Sequence, residues 1–321
     1  MKALVQRELT GPDGLEWSDV DEPEAGDRVV LDVRAAGICY PDLLVTQGRY
    51  QAVARPPFVP GSEVAGVVVH APEGSEFTEG QNVLAVPGIG GYAERLAVPP
   101  SLVLPMPPGL DFAQGAAVLA NHQTVHFALT RRAGLRAGET VLVLGSAGGI
   151  GSAAIQVAKA LGARVVAGVR RGNAEEFLRE LGADEVVPLR EGWLAEVKEL
   201  TAGAGVDVVV DPVGGDVFDD AVRALAPGGR LIVLGFAGGT IPVVKVNRLL
   251  LRNVSVVGAG WGEFLRTKPA ALRETADALA ELVAGGLRPP VTATYPLERG
   301  ADALRDLEAG KIVGKAVLVN G

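Results

Sequence analysis

The stretch that decides the fold is residues 139–169, which read ETVLVLGSAGGIGSAAIQVAKALGARVVAGV. It predicts an apolar strand over 139–145, a helix over 152–163 and a second strand over 163–169. Three glycines, spaced three residues apart at 145, 148 and 151, join the first strand to the helix. Such a turn brings helix N-terminal N–H groups close to a pyrophosphate. The stretch therefore predicts a dinucleotide-binding βαβ unit. Because Ala147 interrupts the strict G-x-G-x-x-G pattern, a plain strand–helix turn is the alternative.

The alternation of strand and helix continues beyond this unit. Helix 174–183 is followed by further predicted strands over 206–211, 229–236 and 253–260, which indicates a parallel, doubly wound sheet. Residues 1–120 instead carry short β-branched runs bounded by Gly, Pro and Asp, at 27–38, 62–71 and 82–86. This spacing predicts a mostly antiparallel β domain, followed by a helix with Asp111 as its N-cap.

Composition restricts the function further. The chain has 321 residues, enough for two domains, and 30 basic against 38 acidic residues give a net charge of −8. This acidic balance argues against a nucleic-acid or anionic-membrane partner. Cys39 is the single cysteine and there are three histidines, so metal sites built on those residues are restricted. No signal-peptide-like or membrane-spanning run is present, and we expect a cytoplasmic protein.

The end of the second strand indicates which dinucleotide is bound. An NAD site places an acidic residue there for the ribose 2′-hydroxyl. This sequence has Arg170 and Arg171 instead, and paired guanidinium groups suit a 2′-phosphate. The pattern favours NADPH, with two solvated arginines as the alternative.

The whole chain resembles the zinc-free NADPH:quinone oxidoreductase, or zeta-crystallin-like, branch of the medium-chain dehydrogenase/reductase superfamily. The matching stretches run in family order and include AAGICYPDLLVTQGRY (35–50), PFVPGSEVAGVV (57–68), GGYAERLAVP (90–99), GSAGGIG (145–151) and VDVVVDPVGG (206–215). The resemblance implies a GroES-like catalytic domain formed by residues 1–121 and 261–321. It implies a Rossmann domain with a doubly wound parallel sheet over 122–260.

The resemblance also implies which residues contact NADPH. Thr124 matches the residue that touches the nicotinamide, and Arg170 with Arg171 matches the 2′-phosphate positions. The remaining expected contacts lie in the glycine turn or at the ends of predicted strands. They are Ala147, Gly148, Gly149, Ile150, Gly214, Gly215, Leu234, Gly235, Phe236, Ala259, Gly260 and Trp261.

The resemblance bears on metals as well. Cys39 matches the cysteine ligand of zinc-dependent relatives, but Ser62 stands where their histidine ligand is, and Glu63 follows it. His122 and His126, four residues apart, leave a metal alternative open on one helix face. We expect no metal, and Cys39 as a buried or pocket-lining residue.

Candidate catalytic residues are Tyr50, Cys39 and Tyr40, and candidate substrate-pocket residues are Asn121 and Trp261. For Tyr50 and Trp261 simple packing is the alternative role.

These features predict hydride transfer from NADPH to quinones or related α,β-unsaturated carbonyl compounds without a metal. One alternative is an enone or enoyl-type reductase of the same superfamily. Another is an NADPH-binding protein with a non-catalytic, crystallin-like or stress role. The expected partners are a small-molecule substrate and, through the edge strand 253–260, a second copy in a homodimer.

Overall fold

The computed structural model describes residues 1–51, 54–170 and 174–320. Its strands are β1 (Lys2–Gln6), β2 (Leu15–Asp19), β3 (Val29–Gly37), β4 (Val64–His70), β5 (Asn82–Ala85), β6 (Arg95–Val98), β7 (Val103–Pro105), β8 (Thr140–Val143), β9 (Arg164–Val169), β10 (Glu185–Pro188), β11 (Val206–Asp211), β12 (Leu225–Val233), β13 (Ser255–Gly258), β14 (Val291–Pro296) and β15 (Lys315–Val319). Its α-helices are α1 (Tyr40–Thr46), α2 (Phe112–Val118), α3 (Thr124–Phe127), α4 (Gly149–Ala160), α5 (Glu175–Glu180), α6 (Trp193–Leu200), α7 (Phe218–Ala224), α8 (Val246–Arg252), α9 (Trp261–Thr267), α10 (Ala271–Ala284) and α11 (Gly300–Glu308).

The chain forms two compact units, one made of residues 1–120 and 276–321 and the other of residues 121–275. The sequence prediction assigned residues 261–275 to the first domain. The structure groups these residues with the second unit. They directly follow β13 of its sheet, and they contain α9.

The first unit is built on a seven-stranded sheet in the order β14-β15-β3-β4-β5-β7, with β6 also paired to β3. All its pairings are antiparallel except that of β14 with β15. The strands predicted at 27–38, 62–71 and 82–86 are β3, β4 and β5. Their apolar side chains, such as Leu31, Val64 and Val83, form the core of this unit.

The helix predicted after Asp111 is α2. Asp111 is its N-cap, and the Asp111 carboxylate accepts the Gln114 backbone N–H at 2.8 Å, as the sequence indicated. The sequence analysis did not predict α1 or the antiparallel β1–β2 pair.

The second unit contains a six-stranded parallel sheet in the order β10-β9-β8-β11-β12-β13. This order confirms the Rossmann-type fold, with the direction of strand addition reversing between β8 and β11. Val141, Leu142, Val209 and Val210 have no exposed surface, as expected for strands covered on both faces. The predicted element boundaries shift slightly: α4 begins at Gly149 rather than at 152, and β12 begins at Leu225 rather than at 229.

Across the described part of the chain, no helix combines the length and apolar character needed to cross a membrane.

Candidate nucleotide site and the buried Cys39 cluster

The glycine turn between β8 and α4 depends on two of its glycines for its shape. Gly145 has φ +58°, and a β-carbon there would lie 2.8 Å from Val213 Cγ2. A β-carbon on Gly151 would lie 2.3 Å from the Gly145 carbonyl oxygen. At Gly148 the nearest atom would be 3.5 Å away, which is an ordinary contact. Gly145 and Gly151 therefore permit the turn itself, whereas the exposed Gly148, the N-cap of α4, has room for a β-carbon.

Gly149 lies against a side chain rather than against backbone. A β-carbon at this position would lie 2.5 Å from the amide nitrogen Nδ2 of Asn121. The structure thus places Asn121, predicted as a pocket residue, directly against the glycine turn. The turn is also tied to the neighbouring strand, since the Ser146 hydroxyl donates to the Gly168 carbonyl oxygen near the end of β9 at 2.8 Å.

The loops after β11 and β12 lie side by side. The Gly215 N–H donates to the Thr240 carbonyl at 3.1 Å, and a β-carbon on Gly214 would lie 3.1 Å from the Phe236 ring. Leu234 N–H donates to the Asp211 carbonyl at 2.9 Å. The predicted contact residues Gly214, Gly215, Leu234, Gly235 and Phe236 are therefore brought together at the carboxyl end of the sheet.

Asp211 shapes the first of these loops. One carboxylate oxygen, Oδ1, accepts the N–H groups of Val213 at 2.9 Å and of Gly214 at 2.8 Å. Burial raises the pKa of Asp211, and these two hydrogen bonds oppose that shift. Sequence reasoning did not select this residue, although an aspartate before Pro-x-Gly-Gly is typical of an Asx turn.

Arg170 stands at the end of β9 and is exposed. Its guanidinium forms an ion pair with Asp216, which follows Gly215 in the loop after β11. The candidate 2′-phosphate residue is thus paired with an acidic side chain. Arg171, its predicted companion, lies outside the described residues.

The remaining predicted contacts lie on α3 and after β13. Thr124 is the first residue of α3, and the Ala259 N–H donates to the Val233 carbonyl at 3.0 Å. Gly260 is the N-cap of α9. Trp261 is 9% exposed, and its ring packs 5.2 Å from that of Phe127 and 6.2 Å from that of Phe264, centroid to centroid. This aromatic packing is the alternative that the sequence left open for Trp261.

In the first unit, Cys39 belongs to a fully buried group of side chains. The Cys39 thiol donates to Glu63 Oε1 at 3.1 Å, and the Lys315 ammonium contacts the same oxygen at 2.5 Å and Cys39 Sγ at 3.1 Å. The other carboxylate oxygen of Glu63 accepts the Ala120 N–H at 2.7 Å. We call Cys39, Glu63 and Lys315 the Cys39 cluster.

The charges within this cluster follow from its burial. Burial raises the pKa of Cys39 well above its ordinary value, and the nearby Glu63 charge adds to this effect. Burial acts to lower the pKa of Lys315, but the Glu63 carboxylate, and at high pH the Cys39 thiolate, outweigh it and raise that pKa. At neutral pH the cluster is therefore a neutral thiol beside a lysine–glutamate ion pair.

A second buried pair adjoins the cluster. The Tyr92 hydroxyl donates to Asp42 Oδ2 at 2.9 Å, and the Cys39 N–H donates to the same oxygen at 3.0 Å. Burial raises the pKa of Asp42 to about 6, while hydrogen bonds from Tyr92 and Ser62 act to lower it. Sequence reasoning missed Lys315, Tyr92 and Asp42, since none of them lies in a motif that specifies chemistry.

The two remaining catalytic candidates differ in exposure. Tyr40, the first residue of α1, is 43% exposed. Tyr50 is half-buried, and its burial together with the charge of Asp42 raises the pKa of its hydroxyl. Tyr50 is therefore protonated at neutral pH and able to donate a hydrogen bond.

The donor set does not fit the zinc ion of metal-dependent relatives. Cys39 and Glu63 are already bonded to the Lys315 ammonium, and Ser62 offers a hydroxyl in place of an imidazole. His122 is buried and bonds through Nε2 to Gln156 Oε1 at 3.0 Å. Within residues 1–51, 54–170 and 174–320, no three or more His, Cys, Asp or Glu side chains are grouped to hold a metal.

Comparison with known proteins agrees with this architecture. An alcohol dehydrogenase GroES-like domain matches residues 25–108, and a zinc-binding dehydrogenase domain matches residues 149–281. With the parallel sheet and its glycine turn, these matches define a medium-chain dehydrogenase or reductase.

Individual relatives narrow the class. Quinone oxidoreductase-like protein 2 of Bos taurus is 37% identical over 91% of this chain and 84% of its own length. A probable oxidoreductase from Mycobacterium abscessus is 57% identical, with a TM-score of 0.93 over 99% of this chain and 98% of that one. The quinone oxidoreductase from Thermus thermophilus, also solved in complex with NADPH, is 36% identical, with a TM-score of 0.83 over 99% and 100% of the two chains. The chain belongs to the zinc-free, zeta-crystallin-like NADPH:quinone oxidoreductase branch of the superfamily.

Proposed function

We propose that this oxidoreductase uses NADPH to reduce quinones or related α,β-unsaturated carbonyl compounds, and that it does so without a metal ion. The observation that carries the proposal is the glycine turn at the carboxyl end of β8, beside β11, where the strand order reverses. The NADPH complex of the Thermus thermophilus relative supports the choice of cofactor.

The residues of the second unit have defined roles in this proposal. N–H groups of Gly149, Ile150 and Gly151, at the start of the 12-residue helix α4, would bind the pyrophosphate. Arg170 and Arg171 would hold the 2′-phosphate. The loops after β11 and β12, together with Thr124 and residues 259–261, would position the ribose and the nicotinamide.

The electronic demand on the acceptor follows from the Cys39 cluster. Bound NADPH supplies the hydride, and the protein must stabilise the negative charge that forms on the acceptor oxygen. Because Lys315 already holds the Cys39 and Glu63 side chains, this donor set offers no open coordination position for a Lewis acid. Acceptors that spread charge over a conjugated system therefore suit this chain better than isolated carbonyl compounds.

Substrate contact residues belong to the same proposal. Tyr50 would donate its hydroxyl proton toward the developing oxyanion, and Tyr40, Cys39, Asn121 and Trp261 are the further candidate substrate contacts.

The decisive experiment measures NADPH and NADH oxidation with a panel of ortho- and para-quinones, enones, and saturated aldehydes and ketones. We expect quinones or enones to be reduced with NADPH far faster than saturated carbonyl compounds, with no loss of rate in the presence of a chelator. Faster turnover of simple aldehydes would contradict the proposal. Tight NADPH binding without oxidation by any acceptor would favour the non-catalytic alternative.

Tyr50→Phe tests the proton donor. Loss of one hydrogen bond to the transition state should lower kcat about 10- to 100-fold and leave NADPH affinity unchanged. The matched control is Tyr295→Phe, which removes a hydroxyl bonded to Asp306 at 2.9 Å and should leave kcat unchanged. An unchanged kcat in Tyr50→Phe would assign Tyr50 a packing role.

A further inference from the structure

A buried ammonium group lies against two side chains whose atoms are able to bind a metal ion, a thiol and a carboxylate. Lys315 is 3% exposed, and its Nζ lies 2.5 Å from Glu63 Oε1 and 3.1 Å from Cys39 Sγ. Zinc bonds to thiolate sulfur at about 2.3 Å and to carboxylate oxygen at about 2.0–2.2 Å. An ion bonded to both atoms on this side would therefore overlap the ammonium nitrogen.

Backbone groups also pack against the Glu63 carboxylate. A β-carbon on Gly37 would lie 2.4 Å from Glu63 Oε1 and 2.3 Å from the Ala116 carbonyl oxygen, so Gly37 packs directly against the carboxylate. Glu63 Oε2 is engaged by the Ala120 N–H at 2.7 Å. Lys315 thus fills a position from which a cation contacts both Cys39 and Glu63.

The cluster also explains why a cation is needed there. Glu63 has no exposed surface, and a buried carboxylate without a positive partner is strongly unfavourable. Lys315, in β15, supplies one positive charge permanently, whereas a bound divalent ion would supply two and could exchange. With the Cys39 thiol donating to the same carboxylate, the charge requirement of the cluster is satisfied by side chains alone.

We propose that Lys315 is a built-in cation that occupies the metal position between Cys39 and Glu63 and excludes divalent ions from it. Removing the ammonium and supplying a third ligand should create a site for a borderline-soft divalent ion such as Zn²⁺ or Co²⁺. Residue 62 is the position for that ligand, because it directly precedes Glu63 and its side chain lies near the Asp42 carboxylate, beside the cluster. This inference is independent of the cofactor and of the acceptor.

The test uses the full-length chain and three variants: Ser62→His, Ser62→His with Lys315→Met, and Ser62→His with Lys311→Met. Lys311 is the matched control, because it is an exposed lysine paired with Asp306 at 2.7 Å. Co²⁺ serves as the probe, since its bond to a thiolate gives a near-ultraviolet charge-transfer band, and equilibrium dialysis gives the stoichiometry. Circular dichroism confirms folding.

We expect the Ser62→His/Lys315→Met protein to bind about one Co²⁺ per chain, at least about tenfold more tightly than the other proteins. Adding Cys39→Ser to it should abolish the thiolate band. Zn²⁺ should raise the Tm of that double variant only. Equal Co²⁺ affinity of Ser62→His with Lys315 intact would overturn the proposal, and so would a folded double variant that binds no more Co²⁺ than the wild type. Should that variant not fold, Ser62→His/Lys315→Gln provides the same comparison.

Discussion

Asp42 carries a buried carboxyl group whose pKa is raised by burial to about 6 from an ordinary value of 3.8. Between these two pH values the folded protein keeps a proton that the unfolded chain has released. Stability at this site is therefore greatest at acidic pH and falls as the pH rises toward 6. Relative to Asp42→Asn, we expect the wild type to lose about 2–3 kcal/mol of unfolding free energy between pH 4 and pH 7.

Urea unfolding of both proteins across this pH range measures the effect. Glu139→Gln provides a control of opposite sign, because the hydrogen bond from Arg230 lowers the pKa of Glu139. There the wild type should gain stability over its variant as the pH rises through the acidic range. Parallel stability curves for the wild type and Asp42→Asn would show that the carboxyl group does not titrate in this way.

The second prediction at the scale of single residues concerns Arg170. Its ion pair with Asp216 joins two exposed side chains and competes with a 2′-phosphate. Exposed pairs contribute about 0.2–1 kcal/mol, so Asp216→Asn should strengthen NADPH binding by up to about fivefold and leave NADH binding unchanged. Calorimetric titration with both dinucleotides measures this difference.

The arginine pair itself provides the complementary variant. Arg170→Ala/Arg171→Ala should remove most of an NADPH preference that we expect to be at least about tenfold in the wild type. Equal affinity of the wild type for NADPH and NADH would contradict the assignment of these residues.

At this scale, what the sequence could predict depended on distance along the chain. Arg170 was selected from a local pattern, because a nucleotide site specifies which residue follows the second strand. The Cys39–Lys315 contact joins residues 276 positions apart, and no local pattern encodes it. Asp216 was also missed as the partner of Arg170, since it lies on a different βα loop.

At the scale of elements, we expect alanine substitutions in the glycine turn to lower stability by different amounts. Gly148→Ala has space for its β-carbon and should change stability by less than about 0.5 kcal/mol. Gly151→Ala drives its β-carbon into backbone and should cost about 1–3 kcal/mol or more. Gly149→Ala should fall between them, because the displaced atoms belong to the Asn121 side chain.

Thermal unfolding of the three variants tests this order. Adding Asn121→Ala to Gly149→Ala removes the atoms that clash and should restore much of the lost stability. A Gly151→Ala protein as stable as the wild type would show that the turn can relax, and the close approach to Gly145 would then not explain the glycine.

The elements themselves were predictable where periodicity is strong. The βαβ unit follows from apolar strands around a helix. The sequence prediction nevertheless placed the start of α4 three residues too late, because the first turn contains Gly149 and Gly151 and glycine has low helix propensity. The short strand β1 pairs with β2 across an intervening turn, and helix α1 has only 7 residues. Neither is long enough for its hydrophobic pattern to stand out.

At the scale of the whole molecule, the strand order leaves β13 as the final strand of the parallel sheet in the part of the chain that the structure describes. Close to it in sequence, before and within α8, exposed apolar side chains accumulate: Ile241 at 71%, Val243 at 86%, Val246 at 72%, Leu250 at 76% and Leu251 at 75% exposure. An open sheet edge and a group of exposed apolar residues are both features of surfaces that are covered in an assembly.

We therefore expect β13 to pair with its copy about a two-fold axis, so that the sheet continues through a homodimer. Light scattering at micromolar concentration should give twice the 33.1 kDa of one chain.

The Ala259 N–H bonds inward to Val233, so alternation along the strand directs the Val256 N–H outward, away from β12. Val256→Pro should therefore give monomers while preserving the fold by circular dichroism, and Leu250→Asp should weaken the same association. Leu9→Asp, which alters a 40% exposed apolar residue of the other unit, should leave the dimer intact. A wild-type mass of one chain would exclude the pairing, and a dimer that survives both Val256→Pro and Leu250→Asp would place the contact on another surface.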